Sequence, residues 1–86
     1  MKIEFDKIKD AINVEKHGIS LGKAIDLEIL SVVFDDRNEY GEERMLGFGL
    51  IDEKPYCICF TERNGTIRVI SLRRAHEKEF KSYVKI

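Results

Sequence analysis

The spacing of apolar positions predicts a helix near the N-terminus. Ile8, Ala11 and Ile12 recur at three- and four-residue intervals and are followed by Glu15, so one stripe of this helix is largely apolar. Asp6 is a good N-cap, and Gly18 suits the left-handed residue just past the helix end. A short strand over residues 3–5 precedes the helix, because its apolar and polar side chains alternate.

A second helix is predicted directly after the first. Ser20 is its expected cap, and the side chains on its expected inner face are Leu21, Ala24, Ile25 and Ile29. Since Gly18 and Ser20 leave only a very short turn, the two helices are expected to form a hairpin.

The pattern then changes to the two-residue alternation of β-strands. Residues 31–34 predict a short strand, and the polar, acidic residues 35–43 predict a loop. Longer strands are predicted over Glu43 to Ile51, Pro55 to Glu62 and Thr66 to Arg73. Asn64-Gly65 is a strong hairpin signal, and both connections are short, so these three strands should form an antiparallel meander.

A final helix is predicted from about Ala75, with Phe80, Tyr83 and Val84 at helical spacing. The expected order is β-α-α-β-β-β-β-α. This is an α+β fold in which a two-helix hairpin and a C-terminal helix cover one face of an antiparallel sheet.

Composition fits one domain over residues 1–86. Hydrophobic residues make up 43% and charged residues 36% of the chain, which is typical of a globular protein with a charged surface. No apolar run approaches the roughly 20 residues of a membrane helix, so the expected location is the cytoplasm, away from membranes. Cys57 and Cys59 are interpreted as small core residues. A zinc site with His17 and His76 is set aside, because the usual spacing of paired ligands is absent.

Charge is unevenly distributed along the chain. The net charge is −1, but residues 26–53 hold nine acidic residues against two arginines, whereas residues 54–86 hold eight basic residues against three acidic ones. The C-terminal third is therefore a candidate surface for a polyanion, and the middle is a candidate surface for a basic partner. Ordinary charge scatter explains the same numbers equally well.

The last predicted strand carries arginines within an apolar sequence and is expected to be central in the sheet. Strict alternation places Arg73 on one face with Ser71, and Arg68 and Arg74 on the other. Arginines so close to a central strand need an anionic ligand or carboxylate partners. The second alternative, structural ion pairs, has its candidate partners in the sequence: Glu43, Glu62 and Glu79.

His17 is the other candidate for chemistry, because an imidazole exchanges protons near neutral pH. The competing interpretation is that it only ends the first helix. The sequence has no glycine-rich phosphate loop, His-Glu-x-x-His motif, nucleophile elbow or regular calcium-binding loop. We therefore expect no bound nucleotide, metal or other cofactor.

Two segments together resemble the BrnT toxins. They are Lys16-His17-Gly18-Ile19-Ser20 and Ile67-Arg68-Val69-Ile70-Ser71, the latter continued by Arg73-Arg74-Ala75. Further matching positions run in order through almost the whole chain: Phe5, Asp6, Lys9, Asn13, Ala24, Val33 to Asp36, Gly41 to Arg44, Gly49, Thr61 to Arg63, Gly65, Glu79 and Tyr83. At Phe5 the family usually has tryptophan, and the chain also departs from the family's usual residues at Ile3, Leu21 and Lys23. These differences concern packing and capping.

The resemblance implies a ribonuclease toxin of a type II toxin–antitoxin pair, with a RelE-like fold. It implies a BrnA-type antitoxin with a ribbon-helix-helix DNA-binding domain. Two copies of each protein would form a heterotetramer that represses its own operon, and the toxin would reach operator DNA only through the antitoxin. RNA is the implied substrate.

Metal-free RNA cleavage gives the candidate residues their expected roles. Arg68 and Arg73 would stabilise charge on the phosphorane, and His17 would act as acid or base, with Glu62 and Tyr83 as further candidates. RNA-binding candidates are Arg63, Arg74, Lys9 and Lys16.

The sequence leaves two alternatives to an RNA-cleaving toxin. One is a non-enzymatic module that acts only by protein binding, through the acidic middle. The other is a degenerate toxin that keeps only its repressor role.

Overall fold

The computed structural model describes residues 2–35 and 43–85 of the 86-residue chain. In chain order the elements are β1 (Ile3–Glu4), α1 (Lys7–His17), a 3-10 helix (Leu21–Asp26), β2 (Glu28–Asp35), β3 (Arg44–Ile51), β4 (Lys54–Arg63), β5 (Thr66–Arg74) and α2 (Glu77–Tyr83). The α+β class is confirmed. The predicted loop over residues 35–43 is only partly described: Asp35 ends β2, and residues 36–42 lie outside the described ranges.

The five strands form one sheet in the order β1-β5-β4-β3-β2. Strands β3 to β5 are an antiparallel meander, which confirms the prediction from the short connections, and β2 pairs antiparallel with β3. Asn64 and Gly65 adopt φ angles of 50° and 79°, as the Asn-Gly hairpin signal indicated. The expectation of a purely antiparallel sheet was wrong, because β1 pairs with β5 in parallel. Strand β5 is an interior strand, as predicted, and lies second from an edge between β4 and the two-residue β1.

Helix α1 begins and ends as predicted. The Asp6 side chain accepts hydrogen bonds from the backbone N–H groups of Ile8 and Lys9. The bond from Lys9, followed by that from Ile8, lowers the pKa of Asp6 below its ordinary value of 3.8, because both bonds favour the ionised carboxylate. Gly18 ends the helix with φ at 70°, in the left-handed region.

The predicted second α-helix is instead a six-residue 3-10 helix, so there is no two-helix hairpin. Backbone bonds from Lys23 to Ser20 and from Leu27 to Ala24 give it the tighter winding. Gly22 lies inside it, and glycine is a poor α-helix former. The chain then enters β2, which takes Ile29 into the sheet and leaves Ile25 about half exposed.

Helical elements cover both faces of the sheet, which corrects the one-face prediction. On one side, called the inner face, the buried sheet residues pack against the 3-10 helix; they include Ile58, Phe60, Val69 and Leu72, in contact with Leu21, Ala24 and Leu27. On the other side, α2 buries Phe80 and Val84 against Phe48 and Cys57. Cys57 and Cys59 are buried thiols without a disulfide, as their interpretation as core residues requires.

Helix α1 contacts the sheet through a polar residue, and its apolar stripe faces solvent. Ile8 is 73% exposed and Ile12 is 49% exposed, whereas Asn13 is buried. The Asn13 side-chain amide donates to the carbonyl of Leu72 at 2.8 Å and to that of Ile19 at 2.9 Å, and its oxygen accepts from the Leu72 N–H at 3.1 Å. Asn13 thereby bonds to β5 as a neighbouring strand would. Across the described ranges, no helix is long and apolar enough to cross a membrane.

Candidate nucleic-acid interface

A β-bulge in β5 determines where its arginines point. Cys59 of β4 lies opposite Ser71, but the next β4 residue, Phe60, lies opposite Val69, so Ile70 is an extra residue in β5. A bulge interrupts the strict alternation of side chains. Arg68 and Arg73 therefore share a face, although alternation predicted opposite faces.

This face, which we call the arginine face, is the side of the sheet opposite the inner face. Across β4, its β5 residues Arg68, Ser71 and Arg73 lie opposite Thr61, Cys59 and Cys57, respectively. Because Thr61 and Cys57 are four residues apart on β4, the backbones of the two arginines are roughly 13 Å apart, at about 3.3 Å per residue. Ser71 lies between them. The face thus presents two cationic groups on either side of a small hydroxyl.

Arg73 is held at the end of the arginine face that α2 covers. Its two terminal nitrogens donate to the two carboxylate oxygens of Glu79, each at 3.0 Å, and one of them also donates to the Arg74 carbonyl. The hydrogen bond from Arg73 is the main cause that lowers the pKa of Glu79 below its ordinary value of 4.5. A two-bond arginine–carboxylate pair fixes the orientation of the guanidinium. For Arg73, the expected alternative of a structural ion pair with Glu79 is therefore realised.

Arg68 is held less tightly. Its guanidinium lies 3.6 Å from the Glu4 carboxylate on β1, and the Glu4 side chain is 46% exposed. That distance is too long for a strong hydrogen bond. Such a pair is worth little in water and is readily exchanged for another anion. Glu4 is not one of the carboxylates that the sequence indicated.

A groove of about 280 Å³ lies between α1 and β5, and we call it the α1 groove. Its lining residues are Lys9, Ile12, Asn13, Lys16, His17, Ile70 and Ser71. Three candidates from the sequence, Lys9, Lys16 and His17, are thus brought together, although they span about two turns of helix. Because Ser71 belongs both to this groove and to the arginine face, the groove opens onto that face.

Two further candidates lie on the arginine face. Tyr83, the last residue of α2, stacks on Phe48 with ring centroids 4.4 Å apart and planes at 6°. Stacking of this kind fixes the ring while the phenol end stays accessible, and Tyr83 is 43% exposed. Arg63 ends β4 on this face, opposite Thr66. It is exposed, at the end of the sheet that lies away from α2.

The remaining candidates lie elsewhere. Glu62 pairs with Ile67 and belongs to the inner-face side, where it borders a depression with Phe34 and Met45. Arg74 also belongs to that side, and its guanidinium lies 5.5 Å from the centre of the Tyr56 ring. The structure therefore does not bring Glu62 or Arg74 together with His17, Arg68 and Arg73.

Two residues of the site were not assigned a role from the sequence. Ser71 lines the α1 groove between the two arginines, and a small polar residue in the middle of an apolar strand was the available signal. Asn13 anchors the helix that carries Lys9, Lys16 and His17. Its signal was an asparagine in a helix interior, where this residue is disfavoured unless its side chain has a specific partner.

Residues 5–79 match the family model of the ribonuclease toxin, BrnT, of type II toxin–antitoxin systems. The chain belongs to the BrnT family. The match includes α1, all of β2 to β5 in the described ranges, and Glu79, so it contains nearly every residue of the two surfaces above. Membership of the BrnT family identifies the chain as a type II toxin of the ribonuclease class and implies an antitoxin as its partner. A comparison with curated proteins gives no match.

The part of the structure described here contains no group of three or more His, Cys, Asp and Glu side chains arranged to hold a metal ion. The charged groups that converge on the arginine face and the α1 groove are mainly cationic: Arg63, Arg68, Arg73, Lys9 and Lys16. An arrangement of this kind can bind phosphates, and a histidine at its border can transfer protons.

Proposed function

We propose that this BrnT protein is a metal-independent endoribonuclease that cleaves RNA across the arginine face and the α1 groove. In the cytoplasm, this activity would inhibit translation and growth. A BrnA-type antitoxin would neutralise it in a heterotetramer with two copies of each protein, and that complex would repress the operon. A RelE-like fold remains part of the proposal.

One observation carries the proposal: the bulge at Ile70 puts Arg68, Ser71 and Arg73 on one face, beside a groove that contains His17. A phosphodiester in this position could be bound by guanidinium groups while an imidazole approaches from the groove. With a regular strand, Arg68 would lie on the inner face instead. The geometry thus supports a phosphate site more strongly than the sequence pattern did.

The proposed reaction uses the RNA's own 2′-hydroxyl as the nucleophile. His17 takes the proton of the 2′-hydroxyl as the 2′-oxygen bonds to the adjacent phosphorus. The bond from phosphorus to the 5′-oxygen breaks, and that oxygen takes a proton from the protonated His17 imidazole or from Tyr83. The products are a 2′,3′-cyclic phosphate and a 5′-hydroxyl end. DNA lacks the 2′-hydroxyl and would not react.

The residues divide between charge stabilisation and positioning. Arg68 is the first choice for the phosphorane, because its ion pair with Glu4 is long and partly exposed. Arg73 would act beside it, oriented by Glu79. Lys9 and Lys16 would bind phosphates along α1, and Arg63 would bind the strand at the far end of the face. Tyr83 is a second candidate proton donor. Glu62 and Arg74 have no assigned step, since both lie on the other side of the sheet.

The main test is cleavage of a fluorescent RNA oligonucleotide by the purified chain in EDTA, with the DNA of the same sequence as control. We expect cleavage of RNA only, and products that end in a cyclic phosphate. His17→Ala should lower the rate by about 10²–10⁴-fold, as for loss of a general acid or base. Arg68→Ala should lower it by about 10²–10³-fold, as for loss of one stabilising donor.

Lys54→Ala is the matched surface control, because it removes an exposed cation at the start of β4. It should change the rate less than threefold. RNA that stays intact in EDTA but is cleaved when metal is added would contradict the mechanism. Cleavage that survives Arg68→Ala and His17→Ala together would contradict the site.

The Arg73–Glu79 pair is the observation that favours the alternative, a toxin that acts only by protein binding. If Arg73 is structural, Arg73→Gln and Glu79→Gln should have the same effect, because each breaks the same pair. If Arg73 acts on RNA, Arg73→Gln should abolish cleavage while Glu79→Gln keeps most of it. Growth inhibition that persists in Arg68→Ala, Arg73→Ala and His17→Ala combined would favour the non-enzymatic function.

A further inference from the structure

Strand β2 is an outer strand of the sheet, with β3 as its sheet neighbour. An outer strand presents a row of backbone N–H and C=O groups that can pair with another chain. The register of β2 with β3 shifts at Leu30 and then runs regularly from Ser31 to Asp35. Five consecutive residues thus form a straight edge.

The side chains of this edge are unusually apolar. Leu30, Val32 and Phe34 are 45%, 47% and 71% exposed, and we call these three the edge patch. Proteins normally protect an outer strand with charges, proline or a covering element. Val32 also lies opposite Gly47, which has no side chain to cover it. The edge patch is therefore a surface that a partner strand could bury.

Charges around the edge patch discriminate between partners. Glu28 is exposed on β2 itself, and Glu43 and Glu62 border the depression beside Phe34, together with Arg63. A second copy of this chain would bring two acidic surfaces together, which is unfavourable. A partner segment with basic residues next to apolar ones would complement the surface.

We propose that the antitoxin docks here, by adding an extended segment with alternating apolar and basic residues as a new strand beside β2. Backbone hydrogen bonds would supply affinity, and contacts with Val32 and Phe34 would supply specificity. This inference rests on the proposed function in one respect, the antitoxin as partner, and is independent of the cleavage chemistry.

The docking surface and the cleavage site are separable by mutation. Two strands, β3 and β4, lie between β2 and β5. At about 4.8 Å per strand, the added strand would lie roughly 19 Å from β5 along the sheet. Substitutions in the edge patch should therefore change antitoxin binding without changing the arginine face.

The test compares two apolar residues of similar exposure, Phe34 on the outer strand β2 and Ile8 on helix α1. Phe34→Lys introduces a cation into the edge patch, whereas Ile8→Lys does so on α1, where Ile8 is 73% exposed. The probe is the cognate BrnA-type antitoxin of the proposed function, titrated against each purified variant by calorimetry. Phe34→Lys should raise Kd at least thirtyfold, as for a binding hot spot, and Ile8→Lys less than threefold. Both variants should cleave the RNA oligonucleotide at the wild-type rate.

A second measurement does not depend on how well one variant folds. Amide hydrogen exchange at residues 31–35 should slow on antitoxin binding, and Leu30→Lys should weaken binding as Phe34→Lys does. Unchanged exchange there would overturn the proposal, as would weaker binding from Ile8→Lys alone. A free chain that is dimeric and becomes monomeric with Phe34→Lys would assign the edge patch to a second copy instead.

Failure of the wild-type chain to bind the antitoxin would overturn the docking proposal. Failure to cleave RNA would overturn only the proposed chemistry.

Discussion

Asn13→Ala removes the one buried side chain of α1. The native amide makes three hydrogen bonds, two with the backbone of Leu72 and one with the carbonyl of Ile19. Alanine makes none of them. We therefore expect α1 to lose its attachment to β5, although its own capping by Asp6 and Gly18 is unchanged.

The magnitude follows from the number and burial of these bonds. Each contributes about 1 kcal/mol net, so three contribute about 3 kcal/mol. Replacing asparagine with alanine inside a helix returns roughly 0.5 kcal/mol of intrinsic propensity. The expected loss in the free energy of unfolding is therefore about 2–3 kcal/mol. For a domain of this size, that lowers Tm by roughly 10–20 °C.

Urea denaturation followed by circular dichroism measures this loss, with Val14→Ala as control. Val14 is the next residue on α1 and is 45% exposed, so its truncation should change the free energy of unfolding by less than about 1 kcal/mol. Asn13→Asp should be worse than Asn13→Ala, because it keeps the acceptor for the Leu72 N–H but places a carboxylate oxygen against two carbonyl oxygens. RNA cleavage should fall in both Asn13 variants, since α1 carries Lys16 and His17.

An Asn13→Ala variant within about 1 kcal/mol of the wild type would refute this reasoning. So would full RNA cleavage at a temperature where the variant is folded. The first result would mean that α1 is held to β5 by contacts other than this amide. The second would mean that the position of His17 relative to Ser71 does not matter for the chemistry.

Two further predictions concern β3 and α2. Gly49→Ala would place a Cβ against the carbonyl oxygen of Glu28 in the neighbouring strand, so it should destabilise the chain by about 2 kcal/mol or more in thermal melts. Gly22→Ala is the control: its Cβ would have its nearest atoms at 3.6 Å, so it should be nearly neutral in the same measurement. The Arg73 hydrogen bond lowers the pKa of Glu79 from 4.5. The stability that this pair contributes to the fold is therefore present above pH 4.5 and is lost as the pH falls below that value and Glu79 takes up a proton. The stability difference between wild type and Glu79→Gln should therefore be constant from pH 6 to 7 and shrink towards pH 3, and a constant difference over the whole range would rule out this pair as its source.

Local signals predicted the local elements well. The Asp6 cap, the left-handed Gly18 and the Asn64-Gly65 turn each depend on a few neighbouring residues, and all three are present. The predicted strand boundaries differ from those observed by one or two residues, except in β2, where the strand begins at Glu28. The prediction of a second α-helix was wrong because apolar side chains at helical spacing also fit a six-residue 3-10 helix followed by a strand. The spacing alone did not distinguish a second α-helix from this 3-10 helix and strand; the packing of Leu21, Ala24 and Leu27 against the sheet did.

The candidate site depended on contacts between distant segments. Nothing in the sequence near Ile70 marks a bulge, since its neighbours Val69 and Ser71 fit a regular strand. In the structure, the edge of β5 that does not pair with β4 has two different neighbours. Strand β1 pairs with Ile67 and Arg68, and the Asn13 side chain bonds to Leu72. The extra residue lies between them. An additional residue is best tolerated where the backbone changes from one partner to another, so the position of Arg68 relative to Arg73 follows from how β1 and α1 pack, and it could not be predicted before both neighbours of β5 were known.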